Sequence, residues 1–250
     1  MTDRVADQNL IQLAKQQYEQ QKRSTIPSEI MSLVSQGKVY PKDHPLRSGK
    51  IEMRYMTAYD EDILTTPSYI KEGVVLDKLL EALIVTPVDY ATITRIDKNG
   101  LIISARIVSY GKDYDVIVKD PKTKKELKRT VDLTKLKNSD FDIESDDLGE
   151  FDYKLNDGTD LKFKFLINSD SDGDSIRELL QDMITQVNGS RTEESILDFI
   201  RYKFLAKESK QFRTYVAKVT PSIIMDYEFE GEDGGTFIAG FSVGADLFWF

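Results

Sequence analysis

Phe151-Asp152-Tyr153-Lys154-Leu155-Asn156-Asp157-Gly158-Thr159-Asp160-Leu161-Lys162-Phe163-Lys164-Phe165 alternates apolar with polar residues on both sides of an Asn-Asp-Gly step. Successive strand side chains point to opposite faces, so Phe151, Tyr153 and Leu155 share one face, as do Leu161, Phe163 and Phe165. Asp-Gly between two such runs is a strong hairpin signal, because glycine accepts the positive φ that the turn needs. The stretch predicts an antiparallel hairpin over 151–165.

The same period recurs on either side. Val116-Ile117-Val118 and Leu127–Leu133 flank a polar tip, Asp120-Pro121-Lys122-Thr123-Lys124-Lys125. Met225, Tyr227 and Phe229, then Phe237, Ala239, Phe241 and Val243, flank the turn Gly231–Gly235. Both patterns read as hairpins, and the second echoes the first in its place after a helical stretch. The acidic run Asp140–Glu150 is expected to be a surface loop.

Helical spacing fills the intervals. Ser175 with Glu178 forms a capping box, and Ile176, Leu179, Leu180, Met183 and Val187 make a buried stripe that Asn188-Gly189 ends. Ile196, Phe199, Ile200 and Phe204 continue the pattern. Phe212, Tyr215, Val216 and Val219 predict a last helix before Pro221. Upstream, Leu76, Leu79, Leu80, Leu83 and Ile84 mark an amphipathic helix stopped by Pro87. A short helix over 100–109 turns Leu101, Ile102, Ala105 and Val108 inward, with Gly111 as its stop. Thr57 with Asp60 caps a helix over 58–64, and Ile51, Met53 and Tyr55 place a strand at 50–56. Residues 9–24 are glutamine-rich, with Leu10, Ile11, Leu13, Ala14 and Tyr18 on one helical face and Asn9 as cap.

Helices and antiparallel hairpins thus come in blocks, which is the signature of an α+β chain. The expected layout is a docking helix within 1–25, a mainly helical part over 26–111, and a part over 112–250 of antiparallel β-hairpins around a small helical cluster.

The chain has 250 residues, 40% hydrophobic and 31% charged, enough for a real core without staples. Its formal charge of −9 repels phosphate backbones and anionic lipid, so neither nucleic acid nor a membrane surface is an expected partner. No apolar run approaches the roughly 20 residues of a membrane helix, and Met1–Leu10 has no apolar signal core. With no cysteine, disulfides and thiolate chemistry are excluded. His44 is the single histidine. It lies in Pro41-Lys42-Asp43-His44-Pro45 and reads as a solvated loop residue.

Three clusters resemble functional motifs without meeting their geometry. Asn168-Ser-Asp170-Ser-Asp172-Gly173-Asp174 resembles a calcium loop. With Gly173 sixth, however, the apolar eighth position falls on Ser175 and the closing glutamate on Leu179. An acidic turn before a capped helix explains it better. Gly231-Glu-Asp-Gly-Gly carries two acids and no lysine, unlike a phosphate cradle. The lysines at 122–128 with Arg129 read as a charged edge that discourages strand pairing. The expectation is no bound metal, no cofactor and no catalytic residue.

The aromatic chain end is unlike an ordinary frayed terminus. Leu247, Phe248, Trp249 and Phe250 either close the molecule's own core or fill a partner's pocket; the density of apolar surface favours an anchor. The candidate partner-binding residues are therefore Leu10, Leu13 and Tyr18 at one end and Leu247, Phe248, Trp249 and Phe250 at the other.

Several stretches are similar to the T4-type baseplate protein family of contractile phage tails. They include Gly37-Lys38-Val39-Tyr40-Pro41, His44-Pro45-Leu46-Arg47-Ser48-Gly49 and, most specifically, Met53-Arg54-Tyr55-Met56-Thr57-Ala58-Tyr59-Asp60-Glu61-Asp62-Ile63-Leu64. Ile70–Leu80, Asp97–Ile102, Arg106–Gly111, Val187-Asn188-Gly189 and the terminal Leu247–Phe250 follow in order. The resemblance spans about 26–250 and leaves the N-terminal helix outside. It implies a non-enzymatic protein of the baseplate hub, or a transient hub assembly chaperone absent from the mature virion. The implied partners are other baseplate or hub proteins, with self-association a further candidate. It also implies host cytoplasm during assembly and the virion tail baseplate thereafter. A hydrolase using paired carboxylates is the reading from another class. Many relatives carry a Cys-Pro-x-Cys knuckle at each of two hairpin tips, holding zinc. Here those tips read Lys119–Lys124 and Glu230–Gly235, so no sulfur ligand remains. Each hairpin is then expected to hold by strand pairing and packing alone.

Overall fold

A computed structural model describes residues 26–167, 175–241 and 245–248. The predicted helix over 9–24, the calcium-like run from Asn168 to Asp174, and Trp249 and Phe250 lie outside the described residues. The chain is α+β, with antiparallel strands throughout.

The N-terminal part opens with strand rather than helix. β1 (Ser28–Ser32) pairs antiparallel with β2 (Lys50–Arg54). α1 (Ala58–Thr65), α2 (Pro67–Glu72), α3 (Val75–Leu83) and α4 (Arg95–Tyr110) follow. α1 starts where the Asp60 carboxylate accepts the Thr57 N–H at 2.8 Å, as its capping box predicts. α4 begins a full turn and more before the expected 100–109. Thr94 is its cap and Asp97, in the first turn, is fully buried. Pro67 at the first position of α2 supplies the fixed φ that starts this unforeseen helix.

The hairpin at 151–165 forms as its alternation predicts. β6 (Phe151–Lys154) pairs with β7 (Asp160–Phe163), and Gly158 closes the turn at φ 92°. Phe151 and Phe163 are buried, and Phe141 and Phe165 pack beside them with ring centroids 5.1–6.0 Å apart. Rings of this size bury about 150–250 Å² each. At about 25 cal/mol per Å² that is roughly 4–6 kcal/mol gross per ring.

α5 (Ile176–Met183) carries the predicted Ser175–Glu178 box but stops early. Ile184–Val187 is a strand, β8, on the free side of β7, with a register slip between Lys162 and Phe163. Val187 is thus buried as a strand residue, not in a helical stripe. Pairing with a half-completed sheet outweighs the helical spacing here. α6 (Glu193–Asp198) runs into a π-helical turn at Phe199–Lys203, and α7 (Ala206–Val219) ends before Pro221.

The two outer hairpins are β3 (Asp113–Lys119) with β4 (Glu126–Asp132), and β10 (Asp226–Glu230) with β11 (Thr236–Gly240). Short strands β5 (Lys137–Asn138) and β9 (Ile223–Ile224) pair between them. Buried residues from both ends of the chain join one core.

The acidic run at 140–150 is not a free loop. Phe141 and Glu150 are buried. Asp147 O accepts from Lys42 N at 2.9 Å, Ser145 Oγ from Arg47 at 2.8 Å, and Phe141 O from Lys38 Nζ at 3.3 Å. Glu150 takes both guanidinium nitrogens of Arg191, at 2.9 and 2.8 Å. The segment is a strap that ties residues 38–47 to the three-stranded sheet. Its acids are cationic partners' acceptors, which composition alone reads as solvation.

Candidate functional site

The two hairpin tips meet. Lys122 Nζ pairs with Asp233 at 2.9 Å and Lys125 Nζ with Glu232 at 2.9 Å. Arg129 donates from Nε and Nη2 to Glu230 O at 2.9 and 2.7 Å. At the centre Asp120, 1% exposed, accepts the N–H of Lys122 at 2.7 Å and of Thr123 at 3.1 Å. The Thr123 N–H, with those of Lys122 and Glu232, outweighs burial and holds the Asp120 carboxyl below its ordinary range. The expectation that the hairpins hold by strand pairing and packing alone is therefore corrected. A buried carboxylate and cross-tip ion pairs join them. Lys122 and Lys125, together with Arg129, form the cationic half of this clasp.

Other buried ionic groups are equally occupied. Asp60 receives both guanidinium nitrogens of Arg54, each at 2.7 Å. Asp97 accepts from Ser35 N at 2.9 Å, Ser35 Oγ at 2.6 Å and Tyr40 OH at 2.7 Å. Burial, then the charge of Asp97, pushes the Tyr40 hydroxyl far above its ordinary value. His44 is half-buried and stacked on Tyr40, 4.6 Å between centroids, not solvated. Its Nδ1 accepts from Leu46 N at 3.2 Å, and burial lowers its pKa. The histidine caps a turn.

Two grooves open among the described residues. A groove of about 590 Å³ between α4 and the C-terminal part is lined chiefly by Ile96, Ile102, Phe165, Leu166, Met183 and Ile223. Its polar lining is Arg95, Asn99, Thr220 and Ser222, without a carboxylate. A second groove holds Asp77, Glu81 and Asp89. There Asp77 accepts from Tyr90 OH and lies 3.6 Å from Lys98, and Glu81 pairs with Lys78 at 2.9 Å. Among the described residues no group of three or more His, Cys, Asp or Glu is arranged for a metal.

The chain ends fare differently from one another. Leu10, Leu13 and Tyr18 lie outside the described residues, as do Trp249 and Phe250. Leu247 and Phe248 are described and are 1% and 3% exposed. Phe248 meets Tyr110 edge-on at 6.3 Å. Arg106, itself buried, donates to Leu247 O at 3.0 Å, Gly111 O at 2.6 Å and Asp113 O at 3.1 Å. Leu247 and Phe248 are thus buried within this molecule. An arginine mid-helix carries no sequence signal for such a role. Asp97 and Asp120 left faint ones, as acids at a helix start and a turn start.

The described residues thus form an α+β chain whose buried charges are met by backbone and guanidinium donors and whose two outer hairpins are clasped at their tips. The chain belongs to the family described as T4 bacteriophage base plate protein, whose model matches residues 10–228. It is a structural protein of a phage tail baseplate, a place that brings it against other baseplate proteins. No curated protein and no solved structure matched it. The matched span corrects the expected one. It takes in Leu10, Leu13 and Tyr18, and it stops at Glu228, before β11 and the aromatic end. Among the described residues no helix is long and apolar enough to cross a membrane.

Proposed function

We propose that this protein is a non-enzymatic component of the baseplate hub that acts by docking to neighbouring tail proteins. The observation that carries the reading is the match of the baseplate family's model to residues 10–228. Every carboxyl with a resolved shift among the described residues is held below its ordinary range by donors, as at Asp60, Asp120, Asp132, Asp146 and Asp233. A general acid needs the opposite shift. Docking falls to the segment carrying Leu10, Leu13 and Tyr18, and to Trp249 and Phe250, which follow directly on the residue pair pinned by Arg106. The protein is made and assembled in the host cytoplasm, with no metal and no nucleic acid as partner.

A second reading keeps the same contacts but makes the protein a transient assembly chaperone that leaves before the particle matures. Mass spectrometry of purified virions separates the two. Stoichiometric recovery of the chain supports the resident hub protein, and its absence from infectious particles supports the chaperone. Hydrolytic turnover on ester, peptide or glycoside probes, abolished by changing a single carboxylate, would sink the non-enzymatic claim.

A further inference from the structure

The edges of the two clasped hairpins are defended unequally. Bonded pairs alternate along an antiparallel ladder. Phe241 N bonds Met225 O at 3.2 Å and Gly231 N bonds Gly235 O at 2.7 Å. Tyr227–Ala239 and Phe229–Phe237 are therefore the bonded pairs between them. Asp226, Glu228 and Glu230 on β10, and Thr236, Ile238 and Gly240 on β11, turn their backbone groups outward. On β10 the Glu230 carbonyl is taken by Arg129. The same bookkeeping on β3–β4, from Asp120 N to Lys125 O and Leu133 N to Lys112 O, sets Asp113, Asp115, Ile117 and Lys119 on one outer edge and Glu126, Lys128, Thr130 and Asp132 on the other. Charged side chains guard an edge against another strand. β11 carries no such charge itself: the chain is uncharged from Gly234 to Ala245, and Ile238 is 73% exposed, sharing a hollow with Lys135, Lys137 and Glu228.

We propose that β11 recognises itself. Two copies pair β11 antiparallel to β11 about a twofold axis at Ile238, making one continuous four-stranded sheet. The edge is self-complementary in this register. Thr236 meets Gly240 of the other copy, Ile238 meets Ile238, and each half-exposed Phe237 lies beside the small Ala239. Large side chains thus oppose small ones in both outer pairs. The three outward residues give about six backbone hydrogen bonds. The acidic row of β10 does not prevent the contact. Glu228 of one copy stands three strand spacings, roughly 14 Å, from its counterpart, beyond a Debye length of about 8 Å at physiological salt. The outward residues of β1, Ser28, Ile30 and Ser32, are also uncharged, but pairing centred on Ile30 sets each Glu29 carboxylate beside a methionine, Met31, and desolvates it.

The test is the oligomeric state of the full chain. Sedimentation velocity from about 1 to about 200 μM, the range suited to an interface below standard size, is expected to show a monomer–dimer equilibrium. Added salt should strengthen it, since both copies carry net negative charge. Ile238→Lys sets two ammonium groups face to face and should weaken the dimer at least tenfold, with an unchanged circular dichroism spectrum. Ile30→Lys should leave it intact. The chain has no cysteine, so Ile238→Cys gives a single thiol per copy. Facing residues of a bonded pair lie about 5.5 Å apart at Cα, within disulfide reach, and oxidation should yield a cross-linked dimer. A chain that stays monomeric throughout, or a dimer indifferent to Ile238→Lys, or cross-linking by Ile30→Cys but not by Ile238→Cys, overturns the proposal.

Discussion

Arg54 and Asp60 meet inside the molecule as a two-pronged ion pair, with side chains 6% and 3% exposed. Burial alone would raise the Asp60 carboxyl. The Arg54 guanidinium and the Thr57 N–H and hydroxyl outweigh it and hold the group below its ordinary range. A depressed carboxyl stabilises the fold fully above its unfolded pKa, and that stability drains away as pH falls through the folded one. Removing one partner of a buried pair costs about 3–5 kcal/mol. Asp60→Asn should therefore be less stable by about that amount at pH 7, and the gap should narrow as pH falls below the ordinary carboxylate range. Urea denaturation across that pH range measures it. A constant gap down to pH 2 would show that the ion pair is not its source. Trp249 is the single tryptophan, so its fluorescence reports on one position. If it anchors a partner, Trp249→Ala should weaken binding at least about thirtyfold, the equivalent of about 2 kcal/mol, without lowering the melting temperature. A melting point that falls together with the affinity would assign the ring to the core instead. At this scale the sequence was a poor guide. The Thr57–Asp60 box was legible because its partners are three residues apart. Arg106 with Leu247 and Asp97 with Tyr40 were not, because their partners are distant in the chain.

The strap at 140–150 illustrates what an element needs to be legible. Hairpins and helices announce themselves by period, and the strand pairs at 116–131, 151–163 and 226–240 and the capped starts at Thr57 and Ser175 fall where their patterns put them. The strap has no period, since each of its residues answers a different neighbour. β8 was hidden for another reason: Ile184 and Val187 fit a helical stripe as well as a strand, and only the open edge of β7 decides between them. Gly149 shows how closely the strap lies. Its φ is +73°, and a Cβ there would sit 2.8 Å from the Tyr40 carbonyl carbon and the Val39 oxygen. Gly149→Ala is expected to cost about 2 kcal/mol or more, from the left-handed backbone and from the overlap together. Hydrogen exchange should locate the loss at Lys42 N, which donates to the strap. Unaltered protection there would mean that the strap contributes little to holding the 38–47 turns. The clasp at the tips is the exposed counterpart. Lys122→Ala with Lys125→Ala should speed exchange at residues 120–125 and 231–235 and make it insensitive to salt, while the global melt barely moves.

For the molecule as a whole, the blocks of period 2 and period 3.6 were enough for the α+β class, and the ordered motifs were enough for the family. The split into a helical and a hairpin part fitted less well, because β1–β2 opens the N-terminal part and α5–α7 occupy the middle of the C-terminal one. Deleting residues 1–24 should leave one cooperative melt and weaken assembly with baseplate partners, since a glutamine-rich segment of this length has too little apolar surface to be stable alone. Loss of cooperativity on deletion would place that segment in the core. The strap also sets an order of events during synthesis. Lys38 and Arg47 wait for Glu144 and Ser145, about a hundred residues later in the chain. At about 5–20 residues per second the ribosome needs roughly 5–20 s to deliver them. Until then the turns at 38–47 lack the acceptors that the strap supplies. The first half of this protein leaves the ribosome as an unfinished surface, and a chain halted before residue 140 lacks the strap that covers it.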